Sequence, residues 1–178
     1  MYTRRRSTKA FTLVETMVAT SILVIAVAGP MTLASRSLAS GFYARDQVTA
    51  FHMAQEALEV VRAVRDQNIL LTLSGTPTSL LEGVPSTDGQ PFIVDARDNS
   101  MVLCNSVCPP IENNGTLYGY GTTGWNTTRF TRTVTASFVN GNTDELRVSV
   151  EVRWRSGVFQ ERSFTIRENL YRWAATNN

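Results

Sequence analysis

The chain has 178 residues, of which 43% are hydrophobic and 18% are charged. This length and composition predict one globular domain with an extended element, and they exclude wholesale disorder and two domains of ordinary size. Four of the seventeen Lys and Arg residues (Arg4, Arg5, Arg6 and Lys9) precede residue 10, so the rest of the chain carries 13 basic against 15 acidic residues. That balance creates no global basic field to attract nucleic acid, which leaves a local basic patch as the alternative, and the sequence predicts no particular nucleic-acid partner.

The first predicted elements are a basic segment and a hydrophobic helix. After the four positive charges come Ala10, the run Phe-Thr-Leu-Val-Glu at 11–15, and an apolar stretch that reaches about Ala34. This stretch is about as long as a bilayer is thick, and the basic residues before it favour a cytoplasmic amino terminus. An ordinary secretory signal cleaved before Gly29, or a plain signal anchor, also accounts for these features.

Glu15 argues against both the secretory signal and the plain anchor. A carboxylate at the centre of a membrane helix costs about 2.5 to 3.5 kcal/mol, and neither a secretory signal nor an anchor gives it a purpose. The order of basic leader, small residue, Phe-Thr-Leu, aliphatic residue, Glu and apolar helix resembles the signal of type IV prepilins and the related pseudopilins. Most such signals carry Gly where this chain has Ala10. The resemblance implies cleavage between Ala10 and Phe11, N-methylation of Phe11, and an assembly role for Glu15, which would neutralise the amino terminus of a neighbouring subunit.

The resemblance also implies partners and a location. The partners are other pilin or pseudopilin subunits, the prepilin peptidase and methyltransferase, the pilus assembly platform, and inner-membrane lipid before assembly. The protein is expected to cross the inner membrane once, with a cytoplasmic amino terminus and an outside head, and then to join a cell-surface or periplasmic filament. The alternative is an extracytoplasmic binding domain, membrane-anchored or secreted by an ordinary signal sequence.

Helical periodicity continues from residue 35 to about Asn68. One face of this segment is apolar and the opposite face is charged, so we expect the helix to cover a sheet. The apolar face contains Phe51, Met53, Ala54, Ala57, Leu58, Val60, Val61 and Val64, and the charged face offers the pairs Glu59–Arg62 and Arg62–Asp66. Gly29 and Pro30 predict a kink or a local loss of helix, because proline cannot donate its backbone hydrogen bond.

Residues 69–128 are rich in Gly, Pro, Ser, Thr and Asn and predict a long variable connection with one strand at 91–94. Cys104 and Cys108 lie in this region. In an extracytoplasmic domain they predict a local disulfide, while two free thiols, or a metal site with two further ligands, are the alternatives.

The same region contains two patterns that we do not interpret as ligand sites. Gly119–Gly124 matches the dinucleotide-binding fingerprint, but no buried strand precedes it and no helix follows, so it predicts a turn-rich loop. Asp95, Asp98 and Asn99 bring oxygen atoms together without the spacing of a calcium-binding loop, which indicates a solvated turn.

No set of catalytic residues emerges from the chain. His52, the only histidine, lies on a predicted helix beside Phe51 and Met53 without a nucleophile or an acid partner. We therefore predict no enzymatic activity, no cofactor and no metal site.

Residues 129–178 predict an antiparallel meander with strands at 130–139, 146–155 and 158–167. In the second strand apolar and polar residues alternate, so one face must be buried, and the amphipathic helix is the element that can cover it. The predicted fold class is therefore α+β, with the pilin-like order of long helix first and antiparallel sheet last. The predicted segments are a leader (1–10), a membrane or filament-core half-helix (11–34), an amphipathic half-helix (35–68), a variable region (69–128) and the meander (129–178), with 35–178 forming one head.

Overall fold

The computed structural model describes residues 11–121, 123–156 and 160–174. It contains one helix, α1, which spans Leu13–Leu73, followed by an antiparallel sheet. The strands are β1 (Phe92–Asp95), β2 (Ser100–Leu103), β3 (Pro110–Asn113), β4 (Tyr118–Gly119), β5 (Asn126–Val139), β6 (Asn142–Ser156) and β7 (Gln160–Tyr171). This arrangement confirms the predicted α+β class. The chain divides into two compact units between Ala44 and Arg45.

The first unit is the amino-terminal part of α1. Every residue from Phe11 to Ala44 is exposed, although most of the side chains are apolar. By length and composition this helix can cross a membrane. Because the unit buries none of its apolar side chains, they need lipid or other protein chains around them.

The helix continues through Gly29 and Pro30 without interruption, so the local loss of helix that we considered there does not occur in the single chain. Pro30 has no N–H to donate within the helix. Next to it, the hydroxyl of Thr32 donates to the Gly29 carbonyl at 2.7 Å, which adds a hydrogen bond to this turn. The alternative, a kink at Gly29 and Pro30, stays a prediction.

The second unit is built around β5. Strand β6 pairs with β5 from Phe130 to Val139, and β7 pairs with β6 along its whole length. The opposite edge of β5 pairs with β3 and, further along, with β1. Strands β2 and β4 close the hairpins that begin with β1 and β3. Two small hairpins therefore share one edge of the long central strand.

The core lies between this sheet and the second half of α1. The predicted inward face of β6 is buried along its whole length, from Leu146 to Trp154. From α1 the core takes Ala50, Met53, Ala54, Ala57, Leu58, Val60 and Val61. Phe51 was predicted on the same face, but it is 39% exposed and lies at the edge of the core, where its ring meets that of Phe164 at 5.6 Å.

The charged face of α1 is only partly solvated, because it also contacts β7. Arg62 pairs with Glu59, as predicted, and with Glu168 of β7. The predicted Arg62–Asp66 pair is wrong. Asp66 pairs with Arg65 at 2.7 Å and accepts a hydrogen bond from Trp173 Nε1 at 3.2 Å.

Helix α1 ends one turn later than predicted. Asn68 lies within the helix. Its side-chain amide donates to the carbonyl oxygens of Leu80 and Glu82, and these hydrogen bonds hold the next loop against the helix. The helix ends in a Schellman motif at Gly75, which has φ +95°. The N–H groups of Gly75 and Thr76 return to the carbonyls of Thr72 and Leu71.

Four short strands occupy the region where the sequence predicts one. Strand β1 confirms the predicted strand at 91–94, while β2, β3 and β4 are two to four residues long, and only β2 is largely exposed. Strands this short do not contain enough residues for a hydrophobic alternation to be detected. The last predicted strand is present as β7, although Val158, where it was predicted to begin, lies outside the described residues.

Candidate processing and assembly site

The start of α1 is capped by its own side chains. Thr12 precedes the helix, and its Oγ1 accepts the backbone N–H of Glu15 at 3.2 Å. Its carbonyl accepts the N–H of Thr16 at 3.1 Å, the first hydrogen bond of the helix. Thr12 is therefore the N-cap and Glu15 is the N3 residue, the two positions of a capping box. The sequence contains this Thr-x-x-Glu signature, but our sequence analysis did not use it.

The Glu15 carboxylate lies exposed in the first turn of the helix. An anionic side chain there interacts favourably with the positive end of the helix dipole. Among the described residues none forms a salt bridge with it, so its charge is compensated only by the helix end. The predicted cleavage residue Ala10 and the basic leader lie outside the described residues, while Phe11 is exposed and precedes the helix.

Cys104 and Cys108 form a disulfide, with their Cα atoms 5.0 Å apart. This confirms the local disulfide and rules out the alternatives of free thiols and a metal site at these two positions. The bond closes the connection between β2 and β3, and it leaves the apolar side chain of Val107 exposed at the tip.

Arg97 locks the two small hairpins together. Its guanidinium pairs with Asp95 at 2.6 Å and donates to the Tyr120 carbonyl at 3.0 Å. Asp95 also accepts the backbone N–H of Tyr120 at 3.0 Å. The guanidinium lies 4.7 Å from the centre of the Trp125 ring and directly against the backbone of Gly119. The first glycine of the fingerprint-like motif thus has a structural purpose, because the arginine occupies the space of a side chain there.

We expect Gly119→Ala to weaken this lock and to lower the free energy of unfolding by about 1 to 3 kcal/mol, since the added methyl group would overlap the guanidinium of Arg97. Urea denaturation followed by tryptophan fluorescence measures the loss. In an Arg97→Ala background the same substitution should cost clearly less. An equal cost in both backgrounds would contradict the proposed overlap.

Asp95 makes the stability of the head depend on pH in the acid range. Burial alone raises the pKa of Asp95, but hydrogen bonds from the Arg97 side chain and from the backbone N–H groups of Arg97 and Tyr120 outweigh burial, so the pKa lies below its ordinary value. A lowered folded-state pKa contributes stability that is complete above the unfolded-state pKa and is lost as the pH falls through the folded-state value. We expect the free energy of unfolding to fall below about pH 4, and to fall less steeply in Asp95→Asn. Parallel slopes in urea titrations of the two proteins would contradict this.

The two patterns that we did not interpret as ligand sites lie in the turn after β1 and at the end of β4. Asp98 Oδ1 accepts the backbone N–H of Ser100 at 3.0 Å, and Asn99 has φ +58°, so these residues form the tight turn between β1 and β2. Gly119 ends β4, and the loop after it leads into β5 rather than into a helix. Among the described residues no group of three His, Cys, Asp or Glu side chains is arranged to hold a metal ion.

Arg132 is the principal residue that our sequence analysis missed. It points into the core and is 1% exposed. It donates to the Met53 carbonyl at 2.8 Å, to Glu56 at 2.9 Å and to the Val94 carbonyl, so it joins α1, β1 and β5. Its place in the alternation of β5, two residues from Phe130 and Val134, puts it on the inward face, and that register was a detectable signal.

Comparison with known families identifies the amino-terminal segment. Residues 5–29 match the prokaryotic N-terminal methylation motif, a span that includes Ala10, Phe11 and Glu15. This motif is the type IV prepilin signal, in agreement with the resemblance found in the sequence. No curated protein and no solved structure matches the chain.

Proposed function

We propose that this protein is a minor pilin or pseudopilin, a structural subunit of a type IV pilus-like filament or of a type II secretion pseudopilus. The observation that carries the proposal is the first half of α1, an exposed apolar helix with one carboxylate in its first turn, within the segment that matches the methylation motif. Such a helix can be stored in lipid and later packed against identical or related helices.

Processing would create the charge that Glu15 requires. Prepilin peptidase would hydrolyse the bond between Ala10 and Phe11, and the leader with its four positive charges would leave. The new amino group of Phe11, which is then methylated, lies four residues before Glu15 and outside the helix. One turn of helix separates positions four residues apart, so amine and carboxylate belong to the same end of the subunit.

Assembly would pair these charges between subunits. In lipid or in a filament core, an unpaired carboxylate pays a desolvation cost, and an ammonium group from a neighbour offsets that cost. Glu15 of an incoming subunit would neutralise the amino terminus of a subunit that is already in place. The assembly platform would extract the helix from the inner membrane during this step. The role is structural, with no catalysis by the subunit itself.

Mass spectrometry of the mature amino terminus tests the proposal. We expect a chain that begins at methylated Phe11. A chain that begins at Gly29 would support secretion through an ordinary signal, and an uncut chain would support a membrane-anchored binding domain. Either result would overturn the filament proposal.

A further inference from the structure

The first unit of the helix carries only two charged side chains, Glu15 and Arg36. The twenty residues between them, 16–35, are uncharged and helical throughout. With a rise of about 1.5 Å per residue, this segment measures about 30 Å, which is the thickness of the hydrocarbon core of a bilayer. The two charges therefore lie one bilayer core apart.

Arg36 has no ion-pair or hydrogen-bond partner for its side chain among residues 11–121, 123–156 and 160–174. The residue is exposed, and the positions one turn away on either side, Thr32 and Ser40, are uncharged. Nor do the acidic residues further along α1 offer a free carboxylate. Each of them pairs with an arginine of the second unit: Asp46 with Arg129, Glu56 with Arg132, Glu59 with Arg62, and Asp66 with Arg65. A second copy of the described residues therefore brings Glu15 as its only unpaired helix carboxylate, and Glu15 lies at the opposite end of the uncharged segment from Arg36.

The residues that follow Arg36 suit the headgroup region of a membrane. Phe42 and Tyr43 are exposed, and Tyr43 lies seven residues after Arg36, on the same side of the helix. Seven residues correspond to about 10 Å, within the layer of headgroups outside the hydrocarbon core. Tyrosine is enriched at this level in membrane proteins, because its ring is apolar and its hydroxyl is polar.

We propose that Arg36 binds lipid phosphate groups in the outer leaflet of the cytoplasmic membrane and sets the depth of the stored subunit. With Arg36 at the outer interface, Glu15 and Phe11 lie at the inner interface, where the bond before Phe11 is accessible to the peptidase. The inference rests on the membrane stage of the proposed function, and it does not depend on filament assembly.

Thiol accessibility tests this depth. The two native cysteines form a disulfide and leave no free thiol, so a single cysteine placed at Ser35, Ala39 or Gly41 is the only reactive group. A membrane-impermeant maleimide is added to spheroplasts that carry the full chain. We expect protection at Ser35→Cys and labelling at Ala39→Cys and Gly41→Cys. In an Arg36→Leu background, labelling of Ala39→Cys should fall to the level of Ser35→Cys, because the next charge is Arg45. Arg36→Lys should retain the original boundary, since lysine also binds phosphate.

If the boundary between protected and labelled positions were unchanged in the Arg36→Leu background, with the protein still in the membrane fraction, the role of Arg36 would be contradicted and the proposed function would be unaffected. The same boundary together with lost filament incorporation would point to a protein carboxylate as the partner and would also overturn it. If the chain were absent from the membrane fraction, the membrane stage of the proposed function would fail, and this inference with it.

Discussion

Glu15→Gln should leave the subunit in the membrane and abolish or greatly reduce its incorporation into filaments. Glutamine has the size of glutamate and is accepted at the N3 position of a capping box, so the contact between the Glu15 N–H and Thr12 Oγ1 should persist. The substitution removes the negative charge alone. Membrane insertion should be equal or better, because the desolvation cost of the carboxylate disappears.

The measurement compares the amount of subunit in the membrane fraction with the amount in sheared filaments. Thr12→Ala is the matched control, because it removes the cap and leaves the charge, at a cost of about 1 kcal/mol to the helix. We expect Thr12→Ala to retain most incorporation. Normal incorporation of Glu15→Gln would contradict charge pairing, and an equal loss in both variants would indicate that Glu15 acts through the helix start.

Arg132→Ala should strongly destabilise the head. Truncation removes the hydrogen bonds from the arginine to the Met53 and Val94 carbonyls and breaks the ion pair with Glu56. It also leaves a cavity in the core. Losses of this kind amount to about 3 to 5 kcal/mol. In a unit of this size the melting temperature should fall by roughly 10 to 15 °C.

Tryptophan fluorescence of the full chain in detergent can measure this, because Trp125, Trp154 and Trp173 all lie in the second unit. Arg153→Ala is the matched control. Arg153 also lies in the sheet and pairs with Glu151, but its side chain is 56% exposed, and exposed pairs contribute at most about 1 kcal/mol. Similar melting temperatures for the two variants would contradict the role assigned to Arg132.

The parts of the fold that sequence predicted share strong periodicity. The alternation from Leu146 to Trp154 defined a half-buried strand, and the apolar face from Ala54 to Val61 defined the cover for it. Both patterns extend over enough residues to outweigh local exceptions. Strands β2, β3 and β4 could not be found in this way, because their pairing depends on β5 and on the hairpin partners rather than on their own sequence.

The residues of the candidate site differ in the same way, according to whether a local sequence pattern marks them. The sequence predicted roles for Phe11, Glu15 and the two cysteines because each belongs to a local pattern. It did not predict a role for Arg132, because a charged residue in a strand is expected in solvent, and its contacts with α1 and β1 are not visible in the sequence. Gly119 illustrates a third case. Its neighbours in sequence match a nucleotide-binding fingerprint but predicted only a turn-rich loop, whereas its neighbour in space, Arg97, explains the glycine.

Carbodiimide coupling of assembled filaments tests the central claim most directly. The only lysine is Lys9, so after cleavage the amino group of Phe11 is the only amine in the chain. Carbodiimide joins a carboxylate to an amine in direct contact, with loss of water, and a singly methylated amine still reacts. We predict a peptide that links the Phe11 amine to the first-turn glutamate of a neighbouring subunit, and a link from Glu15 to a neighbouring amino terminus that Glu15→Gln abolishes. Filaments that contain the subunit but yield neither link would contradict the pairing of Glu15 with a processed amino terminus.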